Sequence, residues 1–307
     1  MSELRFDGRV AVITGAGRGL GRSYALLLAA RGCKIVVNDN GSATRGDEIL
    51  ANPADDVVAE IKAAGGEAIA CAESVATPEG AAAIIQSAIQ TWGRIDILIH
   101  NAGTVRYGMI ADLSIDDFNA VTDVHFKGGF YLAKAAMPHM VAAKYGRVVL
   151  TASCSGLYGS QTTVNYGMSK AGLMGLNNVI ALEGGDHGIH SNTIIPAAVT
   201  RMADGLDTSA YPPLDPELVA PMVAWLCHDS CAVTGEHYVA GGGRMARAWT
   251  IETKGLWQAD WTPEEVAANS EGIRNGEEKW VFPPYPSGMM DHLGETFKWA
   301  HNKGKDA

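Results

Sequence analysis

The sequence has little positive charge and no basic run. Lys and Arg number 24 against 34 Asp and Glu, so the formal net charge at pH 7 is 24 − 34 = −10. Binding to nucleic acid needs a positive footprint that neutralises phosphates. We therefore exclude nucleic acid as a partner, and a phosphate-bearing ligand would depend on a helix N-terminus or on a few basic side chains.

Cysteine is scarce, and its number is odd. The five residues lack the spacing of a disulfide framework: Cys33, Cys71, Cys154, Cys227 and Cys231. We therefore expect a reducing, cytoplasmic compartment. Cys227, His228 and Cys231 lie close together, but no second Cys or His pair follows at the spacing of a zinc site, so we predict no metal site.

Long hydrophobic runs and two common catalytic motifs are also absent. The uncharged segment of residues 148–169 is interrupted by Ser, Thr, Gln, Asn and Gly, which excludes a membrane-spanning helix and predicts a strand followed by an active-site loop. The first predicted strand already begins at Val10, so we expect no signal peptide. Neither a G-x-S-x-G elbow nor a G-K-[ST] loop is found, which argues against a hydrolase and an NTPase.

What the sequence does contain is an alternation of short β-branched runs with amphipathic stretches. The predicted strands are Val10–Ile13, Ile35–Val37, Ile95–Ile99, Val148–Leu150 and Thr193–Ile195. Leu20, Tyr24 and Leu28 fall on one face of an intervening helix, and Gly32 supplies its stop. Repeated strand-helix-strand units predict an α/β fold of the Rossmann type, with a doubly wound parallel sheet and helices on both faces.

The composition changes after Gly243. Five of the seven tryptophans lie beyond it, and Thr262, Pro263 and Glu265 have the pattern of a helix start with a capping box. We predict a single domain of the Rossmann type over residues 1–244. Residues 245–307 are predicted to form an ordered C-terminal extension that packs on the domain, over the substrate mouth or on a neighbouring subunit.

A glycine-rich segment follows the first strand and opens the first helix. It reads Thr14-Gly15-Ala16-Gly17-Arg18-Gly19-Leu20-Gly21, and its glycines allow a tight turn that brings backbone N–H groups to a pyrophosphate. Asp39 follows the second strand, where its carboxylate can accept hydrogen bonds from ribose hydroxyls and repel a 2′-phosphate. We therefore predict NAD as the cofactor. Arg18 leaves NADP open, because its guanidinium could offset that phosphate.

Tyr166 and Lys170 are spaced i, i+4 in a segment predicted to be helical, so both side chains lie on one face. A nearby ammonium favours phenolate and is expected to lower the pKa of Tyr166. Ser153 follows the Val148–Leu150 strand, and Asn101-Ala102-Gly103 follows Ile95–Ile99. The carboxyl ends of parallel strands meet at one sheet edge, where ligands bind. These residues therefore predict proton transfer by Tyr166, assisted by Ser153 and Lys170, beside a nicotinamide.

Together these features resemble the short-chain dehydrogenase/reductase family over residues 8–243. The pieces that carry the resemblance are TGAGRGLG at 14–21, Asp39, the NAG at 101–103, Ser153 and YGMSK at 166–170. The resemblance implies homodimers or homotetramers packed through the helices around residues 115–143 and 165–183. It also implies a wider set of cofactor contacts: Ser74, Val75, Asn101, Ala102, Gly103, Tyr166, Lys170, Pro196, Val199 and Thr200.

Three longer runs, at residues 124–140, 144–159 and 216–231, resemble one branch of that family, the (3R)-hydroxyacyl-CoA dehydrogenase domains of peroxisomal multifunctional enzymes. His125 occupies a position that is Asn in most of the family and His in this branch, which implies a role in the proton relay; His100 likewise replaces a more usual Asn. The implied substrate is a 3-hydroxyacyl or 3-oxoacyl thioester of CoA. The same chemistry on an alicyclic, steroid, aromatic or acyl-carrier-protein substrate stays open, as does a cofactor-binding scaffold without turnover.

Overall fold

The computed structural model describes residues 3–46, 53–199 and 211–306. The main sheet has the strand order β3-β2-β1-β4-β5-β6-β7-β8. Its strands are β1 (Val10–Thr14), β2 (Lys34–Asn38), β3 (Ala68–Cys71), β4 (Ile97–His100), β5 (Gly146–Thr151), β6 (Ile189–Ala197), β7 (Glu236–Gly241) and β8 (Arg244–Ala248). Each neighbouring pair is parallel except β7 and β8, which are antiparallel. The predicted α/β fold is confirmed.

Helices cover both faces of this sheet. The structure contains α1 (Gly19–Ala30), α2 (Pro53–Ala63), α3 (Pro78–Trp92), α4 (Ile115–Thr122), α5 (Gly128–Ala143), α6 (Cys154–Tyr158), α7 (Val164–Gly185), α8 (Ala220–Cys227), α9 (Pro263–Ala268), α10 (Ser270–Arg274) and α11 (Met289–Asp306). A π-helical turn, Asp123–Lys127, joins α4 to α5, and a 3-10 turn, Pro216–Leu218, precedes α8. Within the described ranges, no helix is long and apolar enough to cross a membrane.

The alternation of side chains along β1 explains why the sheet has two cores. Ala11 and Ile13 pack with residues of α1, α2 and α8, whereas Val10 and Val12 pack with α3, α5 and α7. Successive side chains of a strand point to opposite faces. The strand is therefore apolar from Val10 to Ile13, as expected for a sheet that is covered on both sides.

The ends of the helices follow from local chemistry. The side chain of Thr77 accepts a hydrogen bond from the N–H of Gly80, and Pro78 is the first residue of α3. At the other end Gly93 adopts a left-handed conformation, with φ of 75°, and donates its N–H to the carbonyl of Ile89. These contacts satisfy backbone groups that a helix leaves open at its two termini.

The segment after Gly243 begins as part of the main sheet. β8 crosses the predicted boundary between residues 244 and 245 and pairs with β7. Beyond it, β9 (Glu252–Thr253) and β10 (Lys279–Trp280) form a small antiparallel pair. The predicted capping box of α9 is confirmed: the Thr262 side chain accepts from the N–H of Glu265, whose carboxylate accepts from the N–H of Thr262.

The C-terminal extension also contacts the end of α7. Gly185 has no side chain, and a Cβ there would lie 2.0 Å from Cε2 of Tyr285. Pro284 packs in the same way over Gly235, where a Cβ would lie 3.2 Å from the proline Cβ. The extension therefore packs against its own domain at Tyr285 and Pro284, where the absence of a side chain at Gly185 and Gly235 permits close contact.

Candidate active site

A cavity of about 510 Å³ opens at the carboxyl edge of the parallel strands. It lies where the strand order reverses between β1 and β4, which is the point at which open α/β sheets bind ligands. Many of the predicted site residues line it: Gly15, Arg18, Gly19, Leu20, Asp39, Ser74, Val75, Asn101, Ala102, Gly103, His125, Ser153, Tyr166, Lys170 and Pro196.

The glycine-rich turn after β1 leaves no room for side chains. Gly15 has φ of 62°, and a Cβ there would lie 2.8 Å from Cα of Ala102. A Cβ at Gly21 would lie 2.2 Å from the carbonyl oxygen of Gly15, and one at Gly17 would lie 2.9 Å from Oδ2 of Asp39. The turn therefore packs closely against β4 and β2, and the N-terminus of α1 opens towards the cavity.

Two polar side chains fasten this turn to the end of β4. The hydroxyl of Thr14 accepts hydrogen bonds from the N–H groups of Asn101 and Ala102, both at 3.1 Å. The amide of Asn101 donates to the carbonyls of Thr14 at 3.2 Å and Gly15 at 3.1 Å. Thr14 and Asn101 thus fix the position of the glycine-rich turn relative to the end of β4. Asn101 also lines the cavity, whereas Thr14 does not.

The carboxylate of Asp39 is held by backbone donors on both of its oxygens. Oδ2 accepts from the N–H of Gly17 at 3.1 Å, and Oδ1 accepts from the N–H of Gly41 at 2.9 Å. Each oxygen keeps a further lone pair for a ligand hydroxyl. Arg18 lines the same cavity, so the structure presents both the acidic and the basic group that bear on the choice between NAD and NADP.

Ser153, Tyr166 and Lys170 lie along the opposite wall. Ser153 is the N-cap of α6, and its hydroxyl oxygen accepts from the N–H of Ser155 at 3.1 Å. Lys170 is buried, donates to the carbonyl of Thr151 at 2.5 Å, and has its Nζ 5.4 Å from the ring centroid of Tyr166. The i, i+4 spacing on α7 therefore brings the two side chains together.

Burial shifts the pKa values of both groups. It lowers the pKa of Lys170 to about 7. It also raises the pKa of Tyr166, although a hydrogen bond from Ser153 acts in the opposite direction. The net shift of the pKa of Tyr166 is therefore upward, opposite in direction to the lowering expected from Lys170, because the penalty for burying a phenolate exceeds the favourable contact with Ser153.

His125 lies in the π-helical turn, with its ring against Tyr166. The two ring centroids are 5.2 Å apart and the planes are perpendicular. Its Nε2 is 2.7 Å from the carbonyl oxygen of Thr104, and a Cβ at Gly103 would lie 2.4 Å from its Cε1. The Nδ1 atom is buried without a partner among the described residues, and burial lowers the pKa of the imidazole, which is therefore neutral.

Several features of the site were not expected from the sequence. The segment after β2 lines the cavity at Ser42, Ala43, Thr44 and Gly46, and it is held by Thr104, whose hydroxyl donates to the carbonyl of Thr44 at 2.7 Å. No local pattern marks this contact between distant segments.

Two predicted cofactor contacts are not found at the cavity. Val199 is exposed and does not line it, and Thr200 lies outside the described residues.

A parallel sheet with a glycine-rich turn, a carboxylate after β2 and a Ser, Tyr and Lys wall define an oxidoreductase of the Rossmann type. The family model for short chain dehydrogenases matches residues 9–209. The chain belongs to the short chain dehydrogenase family.

Similarity to individual proteins extends beyond the matched residues. The chain is 46% identical to peroxisomal multifunctional enzyme type 2 of Drosophila melanogaster over 254 residues, which are 82% of this chain and 42% of that protein. It is 47% identical to a short-chain type dehydrogenase/reductase of Mycobacterium tuberculosis over 240 residues, 78% of this chain and 84% of the relative. The solved structure of the full-length Drosophila enzyme superposes with a TM-score of 0.81 at 35% identity, covering 97% of this chain and 50% of that one. The chain thus spans half or less of the multifunctional protein.

Proposed function

We propose that the protein interconverts a secondary alcohol and a ketone with NAD as the hydride carrier. The observation that carries the proposal is the cavity itself, which has the glycine-rich turn and Asp39 on one side and Ser153, Tyr166 and Lys170 on the other. The cradle fits a dinucleotide, because the N-terminus of α1 opens towards the cavity beside the glycine-rich turn and both oxygens of Asp39 keep lone pairs for ribose hydroxyls. A bound nicotinamide would supply or accept the hydride.

The protein's own side chains handle the oxygen and the proton. Because Ser153 Oγ accepts the N–H of Ser155, its hydroxyl hydrogen can turn towards a substrate oxygen or towards Tyr166. Tyr166 donates its phenolic proton to the ketone oxygen in reduction and takes the alcohol proton in oxidation. Lys170 lies behind the ring, where a positive charge stabilises the phenolate left after proton transfer.

For the substrate we propose a 3-hydroxyacyl-CoA and its 3-oxoacyl-CoA. The support is similarity: His125 belongs to the branch pattern, and the peroxisomal multifunctional enzyme type 2 of Drosophila melanogaster is 46% identical to this chain over the matched residues. A panel of acyl-CoA thioesters, acyl-carrier-protein thioesters, alicyclic alcohols and steroids, assayed by the absorbance of reduced cofactor, tests it. Highest kcat/KM on acyl-CoA supports the proposal, and turnover confined to non-thioester alcohols would replace it.

The choice of cofactor is tested at Asp39. We expect the wild type to have the higher kcat/KM with NAD, and Asp39→Ser to shift the NAD to NADP preference by about 10²-fold, because the variant loses the ribose acceptor and the repulsion of a 2′-phosphate. Initial rates with both cofactors measure the shift. Asp56→Ser, at an exposed carboxylate of α2, is the matched control. An unchanged preference in Asp39→Ser would leave Arg18 as the determinant.

The raised pKa of Tyr166 predicts opposite pH dependences for the two directions. Ketone reduction needs the phenol, which the raised pKa of Tyr166 preserves at neutral pH, so a fall in kcat/KM near pH 7 should follow the titration of Lys170 and not that of Tyr166. Alcohol oxidation needs the phenolate, so kcat/KM should rise with pH until it exceeds the raised pKa. Initial rates in both directions between pH 6 and 10 test this, and an oxidation rate that is level above pH 7 would contradict it.

We propose that a second copy of the chain covers the outer face of α5 and α7. Large apolar side chains are exposed there, among them Phe130, Val179 and Leu182, at 46%, 48% and 37% exposure. An apolar face of this kind is typical of a subunit contact. Light scattering after size exclusion should give a dimer or a tetramer. The exposed Trp249 and Phe297 of the extension support a further contact with a neighbouring subunit.

For the compartment, we propose a reducing one, the cytoplasm. The support is that all five cysteines are free in the structure.

A further inference from the structure

His100, the last residue of β4, connects two parts of the candidate site that are distant in sequence. Its Nδ1 is 3.1 Å from the hydroxyl of Thr14, and its Nε2 is 2.9 Å from the backbone carbonyl of His125. The ring is 1% exposed and does not line the cavity. It therefore bridges the glycine-rich turn and the π-helical turn from below.

The neighbouring hydrogen bonds fix the proton positions on this ring. A hydroxyl has one hydrogen and two lone pairs. Both lone pairs of the Thr14 hydroxyl accept backbone N–H groups, from Asn101 and Ala102, so its hydrogen is left for Nδ1 of His100. The ring hydrogen must then be on Nε2, where it donates to the carbonyl of His125. Burial lowers the pKa of His100 to about 4, in agreement with this neutral form.

Close packing and hydrogen bonds restrict the movement of the His100 ring and of the residues that it joins. Gly129 of α5 faces the ring, and a Cβ there would lie 3.1 Å from Cδ2 of His100. At the far end, the peptide of His125 is held by His100, and its imidazole is held by Thr104 and rests edge-on against Tyr166. A displacement of the His100 ring would therefore move His125 and with it Tyr166. It would also move Thr14 and with it the glycine-rich turn.

We propose that His100 is a positioning residue, which through its two nitrogens holds the cofactor turn and the His125–Tyr166 pair in one fixed relation. This inference rests on the proposed function, which gives the glycine-rich turn its role in binding the cofactor and Tyr166 its role as proton donor. It assigns separate consequences to the two nitrogens: Nδ1 supports the turn that binds the cofactor, and Nε2 supports the turn beside the proton donor.

Two substitutions separate these roles. His100→Asn places an amide oxygen near the position of Nδ1 and loses the donor to His125. His100→Gln places an amide N–H near the position of Nε2 and loses the acceptor for Thr14. We expect His100→Asn to lower kcat about tenfold with the cofactor Kd within about twofold. We expect His100→Gln to raise the cofactor Kd about tenfold with a smaller change in kcat.

His100→Phe should combine both defects. Ser191→Ala is the control, because it also removes a buried hydrogen bond, from Ser191 of β6 to Asn177 of α7 at 2.8 Å, but away from the glycine-rich turn and the π-helical turn. Cofactor Kd is measured by calorimetry and stability by Tm. The nitrogen chemical shifts of ¹⁵N-labelled His100, assigned by comparison with His100→Phe, should show an unprotonated Nδ1 and no titration between pH 5.5 and 8.

Either of two results would overturn the proposal. One is that all His100 variants lower Tm as Ser191→Ala does while kcat and Kd stay within twofold. The other is a His100 ring that is protonated on Nδ1 or titrates near its ordinary pKa. A wild type that binds neither NAD nor NADP and turns over no alcohol would instead refute the proposed function, and the nitrogen shifts would still test the bridge.

Discussion

Replacing Tyr166 with Phe is expected to lower kcat for ketone reduction by about 10²–10⁴-fold, the usual contribution of a positioned acid or base. The change removes only the phenolic oxygen. The ring that packs against His125 remains, so Tm should change by no more than a few degrees. Stopped-flow or steady-state absorbance of the reduced cofactor measures the rate, and calorimetry of cofactor binding shows that the site is intact.

The matched control for this loss is Tyr158→Phe. Tyr158 ends α6 in the same segment of the chain, and its side chain is 82% exposed. The same atom is removed there without contact to the Ser153 and Lys170 wall, so kcat should stay within about twofold of the wild type. If Tyr166→Phe kept more than a tenth of the wild-type kcat, another group would be the proton donor. If the wild type itself had no turnover, a cofactor-binding scaffold would be the better description.

The parts of the site that are local in sequence could be predicted, because local geometry decides them. Tyr166 and Lys170 are one helical turn apart, and Ser153 follows a strand that parallel pairing brings to the ligand edge of the sheet. The glycine-rich turn is likewise contained in eight consecutive residues. For such features the spacing along the chain fixes the spacing in the fold.

The remaining features depend on contacts between distant segments. β3 reads AIAC, which has little intrinsic preference for a strand, and it is extended because it pairs with β2. The bridge at His100 joins residues 86 and 25 positions away. The pKa of Tyr166 depends on how deeply the fold buries the phenol, and burial gives it a net upward shift that the spacing to Lys170 could not predict.

Replacing Lys170 with Met should lower kcat by about 10²–10³-fold and, at the same time, stabilise the fold. The unfolded chain keeps the Lys170 proton up to about pH 10.4, whereas burial lowers the folded pKa to about 7. Between these values unfolding takes up a proton, so a pH rise from 7 to 10 stabilises the wild type, and at pH 7 the buried ammonium is unfavourable. Met removes that cost but leaves the carbonyl of Thr151 without its donor, so we expect a net gain of about 1–3 kcal/mol at pH 7.

Urea unfolding of both proteins at pH 7 and pH 9.5 tests the cause as well as the size of this gain. The difference in the free energy of unfolding between Lys170→Met and the wild type should be smaller at pH 9.5, because Lys170 of the folded wild type is then deprotonated. Lys62→Met, at an exposed position of α2, should change the free energy of unfolding by less than about 0.5 kcal/mol at either pH. A Lys170→Met protein that is less stable at pH 7 by an amount independent of pH would show that the ammonium is well compensated in the fold. A gain in stability with a large loss of turnover would instead identify Lys170 as a charge that the fold keeps at a cost in stability because the reaction requires it.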